Sequence, residues 1–290
     1  MPTIYAGQKI SIGDIQIFAD NIFLGQTQVA INPYLYLDND AYNFLNASNL
    51  LSNELISTTI NTLVVDLKNY NIWDKLYAMY PLVGGTSASC QYNLINTASL
   101  NLAFSGSWNF NNNGISGSGT SNGVTGSNYA STGFRPLTAS YDNVSKNISI
   151  GVYVETNITG GYDMGLDNGI GDALYLISRY TNNLTYFNYT ASLTVANTDA
   201  KGFYIGTISG SAASNQVIYK NGVSVASKTG GGGNIDNGGY LVIGAANQSP
   251  VDSSPRLYGL SFIGKGLTST NASDLNTTVQ SFATTLGRNV

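Results

Sequence analysis

Apolar positions along this chain change period twice, and the changes divide it. Over residues 48–80 they recur at helical spacing. Ile56, Ile60, Leu63 and Leu67 stand at i, i+4, i+7 and i+11 and make one stripe. Ser48 or Ser52 is placed to cap that helix. The stretch "NIWDKLYAMYP" predicts a second helical piece, with Ile72, Leu76 and Met79, or Trp73, Leu76 and Tyr80, on its apolar face. Pro81 and Gly84-Gly85 end it. From 86 to 266 the period falls to two. Short runs at 91–94, 100–104, 130–134, 148–155, 173–179, 184–189, 202–208, 216–220, 223–227, 240–244 and 256–263 predict strands separated by Gly, Asn and Ser. Asn221-Gly222 between the eighth and ninth runs predicts a tight hairpin turn. So many strands at near-regular spacing argue an antiparallel sandwich. Helical spacing returns at 269–287, where Leu275, Val279, Phe282 and Leu286 form the stripe. Thr270 or Asn271 caps it, Asp274 lies in its first turn and Gly287 closes it.

Two regions stand outside these periods. Residues 4–31 hold a weak repeat of short aromatic-apolar strands, "IYAGQKIS", "IQIFAD" and "NIFLGQTQVA". A hairpin or two is marginal alone in water, so this segment is expected to lean on a partner. The stretch 111–128, "NNNGISGSGTSNGVTGSN", reads as a long loop, and "GGGGNIDNGG" (230–239) as a flexible connection.

Composition narrows the function. Charged residues are 10% of the chain, against roughly a quarter in ordinary soluble domains. Asn, Ser, Thr and Gly take their place, which suits a static assembly better than a cytosolic enzyme. The net charge is −4 and the 12 Lys and Arg are scattered, so no nucleic acid partner is expected. The absence of His excludes Ser-His-Asp and Cys-His catalysis and histidine-ligated metals. Cys90, the one cysteine, is expected to be a buried thiol. No leader and no apolar run of membrane-spanning length is visible, so neither secretion nor membrane insertion is expected. The nine N-x-S/T sequons are no more than this Asn content gives by chance.

The C-terminal third carries a resemblance. "IYKNGVSVAS", "GYLVIGA" and "RLYGLSFIGKGLTSTNASDL", in that order, resemble the concanavalin A-like, laminin-G-like sandwich. The matching positions are Tyr219, Asn221, Gly222, Ile243, Gly244, Gly259 and Leu267. A second resemblance spans most of the chain. "LVVDLKNYNIWDKLYAMYPLVGG" (63–85), "NLAFSG" (101–106) and "NTTVQSFATTLGRNV" (276–290) are similar to virion proteins of tailed bacteriophages, including crAss-like gut phages. The "IYAG…IFADNIFLG" strands are similar to attachment segments at the starts of such proteins. That resemblance implies a fibre, decoration or tail component, made in the host bacterial cytoplasm and built into the particle.

Candidate chemistry is sparse. Glycanases of the sandwich class need two carboxyl groups around one bond. The chain has two glutamates, Glu54 and Glu155, and Asn157 stands where a partner for Glu155 would be, so no enzyme is expected. "YDMGLDNGIGD" places Asp163, Asp167 and Asp172 between glycines. These could ligate Ca²⁺, which takes several oxygens from flexible loops, but the spacing fits no calcium-loop motif and a solvated turn is the stronger reading. Trp108 with Asn109, Asn111 and Asn112, and Arg135 nearby, offers an aromatic-and-amide platform for a sugar. A core tryptophan followed by a polar turn is the stronger reading.

The expected architecture is therefore mainly β: a concanavalin A-like antiparallel jelly-roll sandwich. It has an N-terminal strand-rich attachment segment (1–40), a helical linker (41–85) and a lectin-like domain (86–290) ending in the helix 269–287. The expected function is a self-associating virion component, dimer or trimer, anchored to other virion proteins through residues 1–40. The alternative is a carbohydrate-binding module for host adhesion, and a glycan hydrolase is a distant third.

Overall fold

A computed structural model describes residues 22–24, 27–29, 37–117, 128–136, 147–167, 173–189, 191–209, 215–229, 239–246 and 253–290. The chain divides into two units, 1–37 and 38–290. In the first, Ile22–Leu24 (β1) pairs antiparallel with Thr27–Val29 (β2). The expected strands "IYAGQKIS" and "IQIFAD" lie outside the described residues.

The second unit is an antiparallel two-sheet sandwich with helices on one side. After helices Asn39–Ala47 (α1) and Glu54–Asn69 (α2) come Leu76–Tyr80 (β3) and the short helix Ser87–Cys90 (α3). Then follow Ala103–Ser105 (β4), Trp108–Asn111 (β5), Gly114–Gly117 (β6), Tyr129–Ser131 (β7), Ile148–Val154 (β8) and Met164–Leu166 (β9). Leu174–Ile177 (β10), Leu184–Tyr189 (β11), Ser192–Ala196 (β12), Gly202–Ser209 (β13), Asn215–Lys220 (β14) and Val223–Lys228 (β15) continue the series. Val242–Ile243 (β16), Leu257–Gly264 (β17) and helix Ser269–Thr285 (α4) complete it. Among the described residues one sheet runs β12-β11-β10-β9-β16-β7-β4. The other runs β15-β14-β13-β8-β17-β6-β5, with β3 also paired to β17.

Alternation explains the layers. On β8, Ile148, Ile150, Val152 and Val154 enter the core between the sheets, where they join Tyr204, Ile218, Phe187, Leu174 and Leu176. Every residue of β8 is buried: on its other face Ser149 bonds Thr207, Phe262 lies against Gly151, and the Tyr153 hydroxyl donates to the Arg288 carbonyl. Of the predicted stripes, Leu275, Val279 and Phe282 of α4, and Ile60, Leu63 and Leu67 of α2, are buried, while Ile56 and Leu286 at the helix ends are half-buried. The caps differ from expectation by a few residues. Asn53 accepts from Ile56 N–H at the start of α2, and Thr268 with Asn271 forms a capping box on α4.

Three sequence expectations fail here for identifiable reasons. Residues 76–80 are a strand, preceded by one tight turn at Trp73–Lys75. Their apolar residues satisfy both periods, and pairing with β17 selects the strand, sending Ala78 and Tyr80 into the core. Residues 91–94 form no strand. The buried Asn93 side chain occupies the backbone groups there instead: Oδ1 accepts from Met79 and Ile95 N–H, and Nδ2 donates to the Tyr77 and Ser99 carbonyls. The expected loop 111–128 begins with the tight β5–β6 hairpin; its remainder, 118–127, and residues 230–238 of the glycine connection lie outside the described residues. The β14–β15 hairpin is as expected, with Asn221 and Gly222 both at positive φ, 50° and 77°.

The sheets interlock closely at Gly206 on β13. A Cβ there would lie 2.0 Å from a ring carbon of Phe187 on the opposite sheet. Gly206→Ala is expected to lower stability by roughly 1–3 kcal/mol in urea unfolding. Adding Phe187→Leu should recover part of the loss; strictly additive losses would show that the two residues do not meet.

Candidate functional site

The residues singled out in sequence do not assemble into one platform. Strand β5 alternates, so Trp108 and Phe110 turn toward the core while Asn109 and Asn111 are exposed on the other side. The Trp108 ring meets Phe104 edge-on at 5.7 Å, lies against Gly244, and donates from Nε1 to the Ser105 carbonyl at 2.9 Å. Asn111 Oδ1 accepts from Asn113 N–H, and the Asn112 carbonyl accepts from Arg288. The Arg135 guanidinium stacks over Tyr240 at 4.6 Å. Tyr240 and Gly244 flank β16 on its two sides, so Arg135 and Trp108 belong to opposite ends of that strand.

The acidic stretch is divided too. Asp163 is fully buried, and its carboxylate is taken up by protein donors. Oδ1 accepts from Arg256 Nη1 at 2.6 Å, from the Tyr258 hydroxyl at 2.7 Å and from Ser254 at 3.3 Å; Oδ2 accepts from Ser178 N–H. Burial and the neighbouring Asp163 charge push the Tyr258 phenol far above its ordinary range, so it remains a donor. Asp167 follows β9, with its N–H donating to the Ala246 carbonyl at 2.7 Å. Asp172 lies outside the described residues. Among the described residues no group of three Cys, Asp or Glu side chains is arranged to hold a metal.

Glu155 sits beside Gly259, whose missing side chain leaves room for the carboxylate, and its Oε1 is buried without a hydrogen bond. Burial pushes its carboxyl up to about 7, offset in part by the Arg288 guanidinium. Arg288 is itself buried, donating to the carbonyls of Asn112, Pro81, Gly259 and Leu82. Glu54 is exposed in the first turn of α2.

A different surface gathers aromatic and amide groups. In the β10–β11 pair, Leu174 opposite Tyr189 and Leu176 opposite Phe187 face the core. Tyr175 opposite Asn188 and Ile177 opposite Tyr186 therefore lie on the other face, where Ile177 and Asn188 are buried and Tyr175 and Tyr186 are half-buried. Tyr162 packs edge-on against Tyr175 at 4.9 Å, and Tyr180 edge-on against Tyr186 at 5.9 Å. All four rings are partly exposed. Polar groups surround them. Tyr175 Oη and Ser192 Oγ are 3.3 Å apart, Ser192 donates to Asn188 Oδ1 at 3.1 Å, and Asn182 Nδ2 donates to Tyr186 Oη at 2.6 Å. At the hairpin end, Arg179 donates to Asn183 Oδ1 from Nε and Nη2, and to Asn157 Oδ1 from Nη1 at 2.8 Å. The signal for this surface was in the sequence: "LYLISRYTNNLTYFNY" alternates, and its outward positions carry tyrosines among amides.

No protein-family model and no curated protein matches this chain. Solved structures do, at low identity. Domain 4 of AbnA, an extracellular arabinanase from Geobacillus stearothermophilus, solved with arabinotriose, is 12% identical with a TM-score of 0.44. The match covers 69% of this chain and 98% of that one. The receptor-binding domain of the botulinum neurotoxin C/D mosaic serotype is 12% identical with a TM-score of 0.47, covering 71% of this chain and 52% of that one. Trypanosoma rangeli sialidase with sialic acid is 11% identical with a TM-score of 0.43, covering 78% and 39%. This chain thus spans about half or less of the toxin and sialidase chains. The likeness lies in the sandwich, and no functional residue is carried over from it.

Glu155 makes stability depend on pH. Its folded value of about 7 exceeds its ordinary 4.5, so the fold binds the proton more tightly than the unfolded chain does. That contribution is full below about pH 4.5, is lost as pH rises through 7, and is flat above. Glu155→Gln should flatten the fall between pH 5 and 7.5 in denaturation curves and raise the melting temperature at pH 8. A slope unchanged by the substitution would assign the pH dependence to other groups.

Proposed function

We propose that the protein is a carbohydrate-binding module that uses the outer face of the β9–β12 strands. The observation that carries this is the set of four partly exposed tyrosines, Tyr162, Tyr175, Tyr180 and Tyr186, fixed ring against ring among amides and hydroxyls. Sugars present apolar C–H faces bordered by hydroxyls. Aromatic rings match the first and amides the second. The sheet holds the rings in place before a ligand arrives, which lowers the ordering cost of binding. Trp108, turned inward, is a packing residue in this reading, and Lys220 to Val223 is a corner of the fold.

A glycan array followed by titration of the strongest ligand tests the reading. Tyr186→Ala is expected to weaken binding by about 1 kcal/mol, close to fivefold, without unfolding the sheet. Tyr175→Ala should act alike. Binding untouched by both, or no binding to any glycan at millimolar concentration, would sink it.

The motifs shared with tailed-phage virion proteins support a second, compatible reading: display of this module on a phage particle, self-associated and attached through residues 1–40. The low charge of the chain suits such an assembly. Purified virions should then contain the protein; its recovery only in the soluble lysate of infected cells would count against display.

A further inference from the structure

Arg179 stands at one end of the tyrosine surface, held by side-chain amides. Its three hydrogen bonds all go to neutral amide oxygens, those of Asn157 and Asn183. No carboxylate pairs with it among the described residues, whose ion pairs are Lys68 with Asp38 and Asp40, and Arg256 with Asp163. A guanidinium carries five N–H donors, so two remain for a ligand. The amides fix the plane of the group without cancelling its charge. Asn157 is held in turn by the Ala200 N–H at 2.9 Å, and the Arg179 carbonyl accepts from the buried Arg256. Both the side chain and the backbone of Arg179 are thus anchored from behind.

The surroundings add positive charge. Asn157 ties Arg179 to the loop 197–200, and Lys220 reaches the same loop. Its Nζ donates to Asn197 Oδ1 at 3.1 Å and to the Asp199 carbonyl at 2.7 Å, both again neutral acceptors. Lys201 is next along the chain, and Asp199 is the acid of this group. In a protein with net charge −4 and only 12 basic residues, at this rim Arg179 and Lys220 both tie to the loop that carries Asp199 and leads into Lys201. Tyr180 follows Arg179 directly, and Tyr186 lies edge-on to it.

We propose that this rim selects glycans bearing a carboxylate, a sialic or uronic acid, which the free donors of Arg179 grip while Tyr180 and Tyr186 receive the sugar ring. The inference rests on the glycan-binding reading above and adds a ligand class to it. Carboxylate recognition by a fixed guanidinium is directional and charge-assisted, and neutral sugars cannot reproduce it.

The test compares an acidic oligosaccharide with the same compound after reduction of its carboxyl groups to alcohols, by titration against the whole chain. The acidic form should bind about tenfold more tightly or better, with the advantage shrinking as salt rises from 50 to 500 mM. Arg179→Gln should bring the acidic form down to the level of the reduced one. Arg179→Lys should restore only part, since it keeps charge without the fork. Tyr186→Ala should weaken both forms. Equal binding of the two forms to the unaltered protein, or a preference that survives Arg179→Gln, overturns the proposal and leaves glycan binding standing. Equal binding of a poly-glutamate peptide overturns it as well, because charge alone would then suffice. If neither sugar form nor any other glycan binds, the underlying reading fails first.

Discussion

The Arg256–Asp163 pair, sealed inside the sandwich, is the contact on which the rest of this end of the molecule depends. Arg256 precedes β17 in the eight-stranded sheet, and Asp163 precedes β9 in the seven-stranded one, so the pair joins the two sheets. Both side chains are fully buried. Two charges removed from water gain little net energy from their attraction alone, and removing one of such a pair costs roughly 3–5 kcal/mol because the other is left uncompensated. What makes the pair tolerable is the completeness of its hydrogen bonding. Every guanidinium nitrogen has an acceptor, among them the carbonyls of Ile158, Gly161 and Arg179. The carboxylate takes Tyr258, Ser254 and Ser178 as well.

Those carbonyls belong to the segments that shape the rim. Ile158 and Gly161 lie in the chain between β8 and β9, with Asn157 immediately before them. Arg179 opens the β10–β11 turn. A buried group with strict directional demands therefore sets the backbone from which Asn157, Arg179 and Tyr180 project. The ion pair is better understood as a device for position than as a source of stability, since an apolar replacement could fill the same volume but could not fix those carbonyls. The surface groups that would meet a ligand are held by a network the ligand never touches.

Legibility in the sequence followed the number of physical constraints on each segment. The amphipathic stripes of α2 and α4 and the alternating strands β8, β11 and β13 to β15 were plain, because one buried face imposes one period. Segment 72–80 was not, because Ile72, Leu76 and Met79 satisfy a helix while Ala78 and Tyr80 satisfy a strand, and only β17 decides. Asn93 was invisible for the opposite reason: a single side chain replaces a strand's ladder, and nothing periodic announces it. The stretches 63–85 and 276–290 illustrate a third case. The 63–85 stretch supplies the C-terminal part of α2, the Trp73 ring beneath Lys68, and β3, while 276–290 supplies most of α4 and the Arg288 anchor. These residues have packing roles inside the sandwich unit. On the candidate site, the inward Trp108 agrees with the core reading rather than the sugar platform, as the alternation of its own strand requires. The same alternation, applied to "LYLISRYTNNLTYFNY", marks Tyr175 and Tyr186 as outward-facing. Asp163 misled because an acidic residue between glycines looks solvated until Arg256, 93 positions away, is placed beside it.

The scarcity of charge gives the remaining charges their meaning. In an ordinary surface a lone arginine is unremarkable, since acidic neighbours are close and salt screens the rest. Some of the described cations are buried or paired with carboxylates, while others, Lys220, Lys228 and Lys265 among them, bond only neutral acceptors near the surface. Lys68 answers Asp38 and Asp40, Arg256 answers Asp163, and Arg288 fills a socket of carbonyls near Glu155. Arg179 answers only amides, and those amides orient it rather than neutralise it. A guanidinium oriented by two amides at the end of a tyrosine-bearing hairpin, with no carboxylate paired to it among the described residues, is a poor way to stabilise a fold. It is a good way to recognise an anion attached to an apolar ring, and the aromatic residues beside it supply a surface for that ring.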